Sequence, residues 1–197
     1  MNFDLSKIKP DIRKLNDMRE VLYDKDFAKK SGDMDLYYMY RGLKQNGELR
    51  YDETVVKAQM LGNEFNKTKG HYHVGAYPEI YMVLEGKAIY LLQKRDANNN
   101  IEDIYYVEVN AGECAIMPPY YGHVTINPSA TQDLKMANWL SDNCKSDYSP
   151  YVELQGAGYY YLKNGWTKNP NYKNLPELRF EKSLKSIPEN LEFLKKG

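Results

Sequence analysis

From about residue 35 onward the chain reads as short runs in which apolar and polar positions trade places every one or two residues. DLYYMYRGL (35–43), ELRYDETVVKAQML (48–61), EIYMVLEGKAIYLLQ (79–93), DIYYVEVNAGECAIMPP (103–119) and HVTINPS (123–129) are rich in Val, Ile, Tyr and Thr. Gln45-Asn46-Gly47, Glu85-Gly86 and Asn98-Asn99-Asn100 separate them with turn residues. Many short strands at such spacing predict an all-β antiparallel sandwich or barrel. Residues 11–30 differ. Ile12, Leu15, Met18, Val21 and Leu22 recur at helical spacing, which predicts a short helix or helical turns. The final SLKSIPENLEFLKKG (183–197) predicts a polar turn or helix that covers one end. The expectation is therefore one β-domain over residues 1–197, with its core at about 35–165 and short helical extensions at both ends.

The run Ile80-Tyr81-Met82-Val83-Leu84 breaks the alternation, being apolar on both faces. With Glu79, Tyr81 and Val83 turned to an interior, Ile80, Met82 and Leu84 need cover too. A second sheet, the N-terminal arm or a second subunit would supply it.

Charge changes the picture little. The 197 residues carry 27 basic and 27 acidic side chains with no basic cluster, which argues against nucleic acid as the main partner. No apolar run approaches the length of a membrane span, and MNFDLSKIKPDIRKL lacks the apolar core of a signal peptide. Cys114 and Cys144 have no C-x-x-C spacing and read as reduced thiols of a cytoplasmic protein, a disulfide being unneeded. Tyrosine is abundant, at 19 residues. It has two readings, compositional bias alongside frequent Asn and Lys, or a sugar-lined pocket.

Histidine is scarce, and its placement carries the chemistry. Two of the three histidines stand in KGHYHVGAYPEIYMVLEG, with Glu79 six positions after the second. On a strand His71 and His73 point the same way. Ala76-Tyr77-Pro78 supplies a turn into a second strand on which Glu79 and Tyr81 share a face. His123 follows Pro118-Pro119 and a turn, at the start of a new strand on the same wall. An H-x-H pair alone is weak evidence, since paired histidines occur on surfaces and in cores. Three imidazoles with a carboxylate, by contrast, suit a divalent first-row metal such as iron, manganese, nickel, cobalt or zinc, with positions left for substrate oxygens.

These segments resemble the two signature motifs of the cupin superfamily. His71, His73, Glu79 and Gly86 match the first; Gly112, Pro118, His123 and Asn127 match the second, with Tyr120 where glycine is usual. Phe65 stands where a leading glycine is usual, and the His–Glu gap is longer than the common one. Within the superfamily the chain is most similar to cupin-type glucose-6-phosphate isomerases, through RKLNDM, TKGHYH, EIYMVLEGKA, MPPYYGH and the SDY around Tyr148, in the same order. The resemblance implies a jelly-roll β-barrel and a homodimer. It also implies one metal per subunit, iron first among the candidates, on His71, His73, Glu79 and His123.

It implies further that Glu79 moves a proton between C2 and C1 of an open-chain sugar phosphate, in a step of glycolysis and gluconeogenesis. An enediolate carries negative charge on two oxygens, which a divalent cation stabilises. Two alternatives stay open here: Glu79 as a ligand only, and a hydride shift between the carbons. Thr68 and Gly70 suit a phosphate, one through a hydroxyl and the other through an approachable N–H, while Lys69 is either a contact or solvated. Thr54 matches a phosphate-contacting threonine of the family. Tyr37, Tyr81 and Tyr148 match its tyrosines near the sugar, with ordinary strand packing as their alternative. Ser146 and Trp139 stand at the lid where histidine and tyrosine are usual. Two other functions compete. A cupin dioxygenase would want iron and a chelating acidic substrate, which TKG beside the histidines disfavours. A non-catalytic sugar-binding cupin would more often have lost ligands.

Overall fold

The structure is a computed structural model and describes residues 3–195. Sixteen strands carry it: β1 (Asp11–Lys14), β2 (Asp35–Asn46), β3 (Leu49–Val56), β4 (Met60–Leu61), β5 (Glu64–Phe65), β6 (Tyr72–Val74), β7 (Glu79–Glu85), β8 (Lys87–Arg95), β9 (Ile101–Asn110), β10 (Cys114–Met117), β11 (Tyr121–Ile126), β12 (Leu134–Ser141), β13 (Lys145–Asp147), β14 (Tyr159–Leu162), β15 (Gly165–Lys168) and β16 (Arg179–Glu181). Two short α-helices, α1 (Lys25–Lys30) and α2 (Ser149–Glu153), decorate them. The strong strand formers of the sequence fall in the long strands, so the chain is all-β as its pattern predicts.

The strands form two main layers. One is the six-stranded antiparallel sheet β1-β2-β3-β12-β7-β10. The other is β11-β8-β9-β16, in which β16 runs parallel to β9. The β13-β6 pair joins it through a bridge between His71 and His123. The sheets bury a common core that includes Tyr81, Val83 and Met136 from the first and Tyr90, Leu92 and Val109 from the second. This is a jelly-roll-like barrel. Strands β1, β15 and β16 reach beyond residues 35–165, so the sheets draw on more of the chain than that span.

Residues 11–30 are less helical than their spacing predicts. Asp11–Lys14 pair with β2 as a strand, and only Lys25–Lys30 form an α-helix. Between them lie single 3₁₀ turns, Leu15–Asp17 and Arg19–Val21. Side chains close these turns: Asp17 accepts from the Lys14 N–H at 3.0 Å and the more distant Asp33 from the Asn16 N–H at 2.9 Å. Leu15, Met18, Val21 and Leu22 are nonetheless fully buried, whereas Ile12 is 42% exposed on the edge strand. The spacing identified what is buried and not the backbone that buries it. Likewise β11 begins at Tyr121 rather than at His123.

The two-faced strand β7 finds its cover within the chain. Ile80 packs with Leu49, Tyr51, Ala137, Trp139 and Leu194 in a second apolar cluster outside the large sheet. Met82 and Leu84 border it, together with Phe3, Ile187, Leu191 and Phe193. The N-terminal arm and the C-terminal 3₁₀ turn Glu192–Lys195 thus seal the outer face of the sheet, rather than an end of the β-domain as the sequence reading expects.

Candidate active site

The inner face of the large sheet is a grid set by strand register. Across β7, β12 and β3 the paired rows are Glu79–Leu140–Arg50, then Tyr81–Asn138–Asp52, then Val83–Met136–Thr54. All these residues except Val83 line one cavity. Its opposite wall is the loop Thr68–His71 and His123 of the second sheet. The free volume inside it is about 80 Å³.

The three imidazoles converge. Ring centroids are 4.5 Å apart for His71 and His123, 5.2 Å for His71 and His73, and 5.3 Å for His73 and His123. Glu79 Oε2 lies 3.4 Å from His73 Nε2 and 3.3 Å from His123 Nε2. One donor atom from each of the four residues falls within 4.8 Å of the others. His73 Nδ1 lies 2.7 Å from the Tyr77 carbonyl oxygen, which only accepts, so Nδ1 carries the hydrogen and, in the neutral ring, Nε2 presents its lone pair to Glu79. Two acceptors at that separation require a cation or a proton between them. Burial alone would push His73 down; the Cys144 thiol and Glu79 outweigh it and push the imidazole up to about 10. Burial pulls Glu79 the other way, yet His123 and His73 hold its carboxyl well below the usual carboxylate range. His71 and His123 are pushed down, chiefly by burial. Glu79 Oε2, His73 Nε2 and His123 Nε2 are buried without a hydrogen-bond partner. Orphaned donor atoms of this kind fit a divalent metal. Cys114 and Cys144 are both free thiols.

The structure brings every residue expected at the substrate into the same cavity: Tyr37, Thr54, Thr68, Gly70, Tyr81 and Tyr148. Thr68 Oγ1 accepts from the Thr125 N–H at 2.9 Å, which leaves its O–H free to donate into the cavity. The Tyr37 hydroxyl accepts from the Lys69 N–H at 3.3 Å and so ties β2 to that loop. Gly70 has φ +81°, and a Cβ there would lie 2.6 Å from Val124 and 2.8 Å from the Tyr151 ring. The glycine is required by packing, whatever its N–H binds. Tyr120 holds φ +69°, the left-handed conformation that explains why glycine is usual at this position. Lys69 lines the cavity, with its Nζ 4.0 Å from Glu20.

One expected lid residue is elsewhere. Trp139 points outward, edge-on to Tyr51 at 5.1 Å, because its neighbours Asn138 and Leu140 take the inward positions of β12. Ser146 does line the cavity. Sequence reasoning missed Asn138, whose Nδ2 donates to Glu79 Oε1 at 2.7 Å, and Arg50, Asp52 and Arg41 of the inner face. A polar residue at an inward position of an apolar strand was the available signal for Asn138. Asp52 accepts from the Gly42 N–H at 2.7 Å and from Arg50 Nε at 3.0 Å, while burial pushes its carboxyl up. Arg13 of β1 sits 5.7 Å over the Tyr148 ring.

The jelly-roll barrel with a His–His–Glu–His group on its inner wall defines the chain as a cupin. Among solved structures it is similar to an oxalate oxidase in complex with the substrate analogue glycolate, at 18% identity and a TM-score of 0.44 over 57% of this chain and 54% of that one. It is also similar to an RmlC-like cupin protein from Desulfovibrio desulfuricans, at 13% identity and a TM-score of 0.38 over 54% of this chain and 82% of that one. Sequence is more specific. The family model for glucose-6-phosphate isomerase (GPI) matches residues 12–177. The chain is 31% identical to the glucose-6-phosphate isomerase of Thermococcus litoralis, across 82% of this chain and 85% of that one. It is 29% identical to that of Pyrococcus furiosus, across 84% and 89%. The chain belongs to the glucose-6-phosphate isomerase family of enzymes.

Proposed function

We propose that the protein interconverts glucose 6-phosphate and fructose 6-phosphate with one divalent metal per subunit, held by His71, His73, Glu79 and His123. The observation that carries this is one cavity lined both by candidate metal ligands and by candidate phosphate and sugar contacts. Glu79 and His123, with unpartnered ligand atoms, line it together with Thr54, Thr68 and the Tyr37-anchored loop. The bound metal would supply Lewis-acid stabilisation of negative charge on the two reacting sugar oxygens. Iron is the first expectation, with manganese, nickel, cobalt and zinc as alternatives.

The remaining roles fall to the chain. Thr68 donates its hydroxyl to the phosphate, Thr54 and the Gly70 N–H hold the same group, and Tyr37, Tyr81 and Tyr148 flank the sugar. Glu79 takes the C2 proton of the aldose and returns it at C1, while the O2 proton is lost and O1 gains one. A second reading has its own observation. Asn138 occupies Glu79 Oε1, and Oε2 faces the histidines, so few lone pairs remain for a travelling proton. A hydride shift from C2 to C1 needs none. The protein acts as a single-domain enzyme of the cytoplasm, as a homodimer; no helix among the described residues is long and apolar enough to cross a membrane.

The test is a coupled assay with fructose 6-phosphate, before and after chelation and with metal readdition. Activity that disappears with the metal and returns at one ion per chain supports the proposal. Oxygen uptake by the iron-loaded protein without isomerisation overturns it in favour of a dioxygenase. Glu79→Gln then addresses the base. It should retain metal and lose turnover, since an amide is no useful base near neutral pH. A metal-loaded Glu79→Gln enzyme near the wild-type rate leaves the hydride shift.

A further inference from the structure

Strand β12 presents Leu134, Met136, Asn138 and Leu140 at alternate positions, and Asn138 alone among them is polar. It is buried at 4% exposure, in the middle strand of β3-β12-β7. Register pairs Asn138 with Tyr81, and Leu140 with Glu79, so Asn138 meets Glu79 on the diagonal of the sheet. Its Nδ2 reaches Glu79 Oε1 at 2.7 Å. A carboxylate cannot donate, so the amide must present its NH₂ there. The other oxygen, Oε2, is the one that faces His73 and His123 and has no hydrogen-bond partner.

A carboxylate on a single strand residue can swing about its side-chain torsions and present either oxygen, or both. From this geometry we infer that Asn138 is the positioning residue of the fourth ligand. It anchors Oε1 against β12, so that Oε2 alone is offered to the ion. The inference rests on the metal-site reading above. It assigns a role to a side chain that acts through Glu79: pre-setting a one-oxygen ligand and keeping it from turning away as substrate oxygens arrive. Outer partners of metal ligands typically contribute ~10–100-fold to metal affinity or activity.

The experiment compares wild-type protein with Asn138→Leu, which is close in size and lacks the donor. Both are stripped of metal and titrated with Co²⁺, followed by the visible ligand-field bands and by competition with a chromophoric chelator. The metal-free variant should keep the wild-type circular dichroism spectrum. Its Co²⁺ affinity should fall by ~10–100-fold, with altered ligand-field bands. With metal in excess, kcat for fructose 6-phosphate should drop while KM stays near wild-type. Asn138→Gln, which restores a donor, should recover part of the affinity. Should Asn138→Leu fail to fold, Asn138→Ala carries the same titration, because it lacks the same donor. Wild-type Co²⁺ affinity and unchanged bands in the donorless variant would overturn the inference. Wild-type protein that binds Co²⁺ without isomerising the sugar would overturn the isomerase reading alone, since the affinity ratio still decides the role of Asn138. Wild-type protein that binds no metal overturns both.

Discussion

The two faces of the six-stranded sheet are made by the same strands and solve opposite problems. On β7 the inner residues Glu79 and Tyr81 stand among polar neighbours, while the outer Ile80 lies in an apolar cluster with Trp139, Tyr51 and Leu194. On β12 the inner Asn138 and the outer Ala137 and Trp139 divide in the same way. The outer face gains stability from burial and is closed by the chain's own ends. The inner face accepts destabilisation: the imidazoles of His73 and His123 and the carboxylate of Glu79 are buried with donor atoms unpaired, an arrangement that costs free energy until a cation satisfies it. One sheet thus separates stability from chemistry at the spacing of a single residue, because successive side chains point to opposite sides.

The strongest way to break this separation is to damage each face in turn. His123→Ala should lose metal and reduce activity by more than ~10³-fold, in keeping with the several kcal/mol a metal supplies. Compared metal-free with metal-free, the variant should stay folded and melt somewhat lower, since alanine leaves a cavity and Glu79 loses an imidazole that holds its carboxyl down. Elemental analysis and a thermal melt check both halves. On the outer face, Trp139→Ala should cost ~3–5 kcal/mol of stability through the cavity it leaves. The surviving folded fraction should bind metal normally. A Trp139→Ala protein with normal stability and a raised KM would return this residue to the cavity.

Thr68→Val sharpens the inner face further. It removes a hydroxyl expected to donate to a charged group, worth ~1.5–3 kcal/mol, and the loss should appear in KM for fructose 6-phosphate more than in kcal-equivalent loss of kcat. It also deprives the Thr125 N–H of its acceptor, so a small fall in melting temperature should accompany it. An unchanged KM moves the phosphate elsewhere.

The smallest effect concerns the cover of the outer face. Glu113 accepts from Lys185, the Asn110 N–H and Ser183, and these hydrogen bonds hold its carboxyl down at about 2. Its folded value lies below its unfolded one, so its contribution is present above the unfolded value of 4.5 and is lost as pH falls toward about 2. Segment 183–195 should therefore loosen over that window. Trp139 fluorescence in a Trp166→Phe background reports it, and Glu113→Gln should flatten the response between those limits.

Much of this was legible in the residues. Strand periodicity gave an all-β chain, and the apolar positions of residues 15–22 marked what is buried. The scarcity of histidine made His71, His73 and His123 conspicuous, with Glu79 in a spacing that a turn at Ala76–Pro78 converts into convergence. Six expected cavity residues do line one cavity. What the sequence left undecided has a common cause. Side-chain hydrogen bonds at Asp17 and Asp33, together with pairing to β2, made turns and a strand where spacing alone favoured helix. Trp139 faces outward and Asn138, which the sequence reading did not single out, faces inward because facing depends on register, and register is set by the pairing of β12 with both β3 and β7. A one-residue shift would reverse both. The covering of β7 by Phe3 and Leu194 joins residues nearly the whole chain apart. By itself, then, the sequence determined which side chains can bind a metal and which must be buried. Tertiary structure alone decided which oxygen of Glu79 faces the histidines, since that rests on one hydrogen bond from a strand 59 residues away.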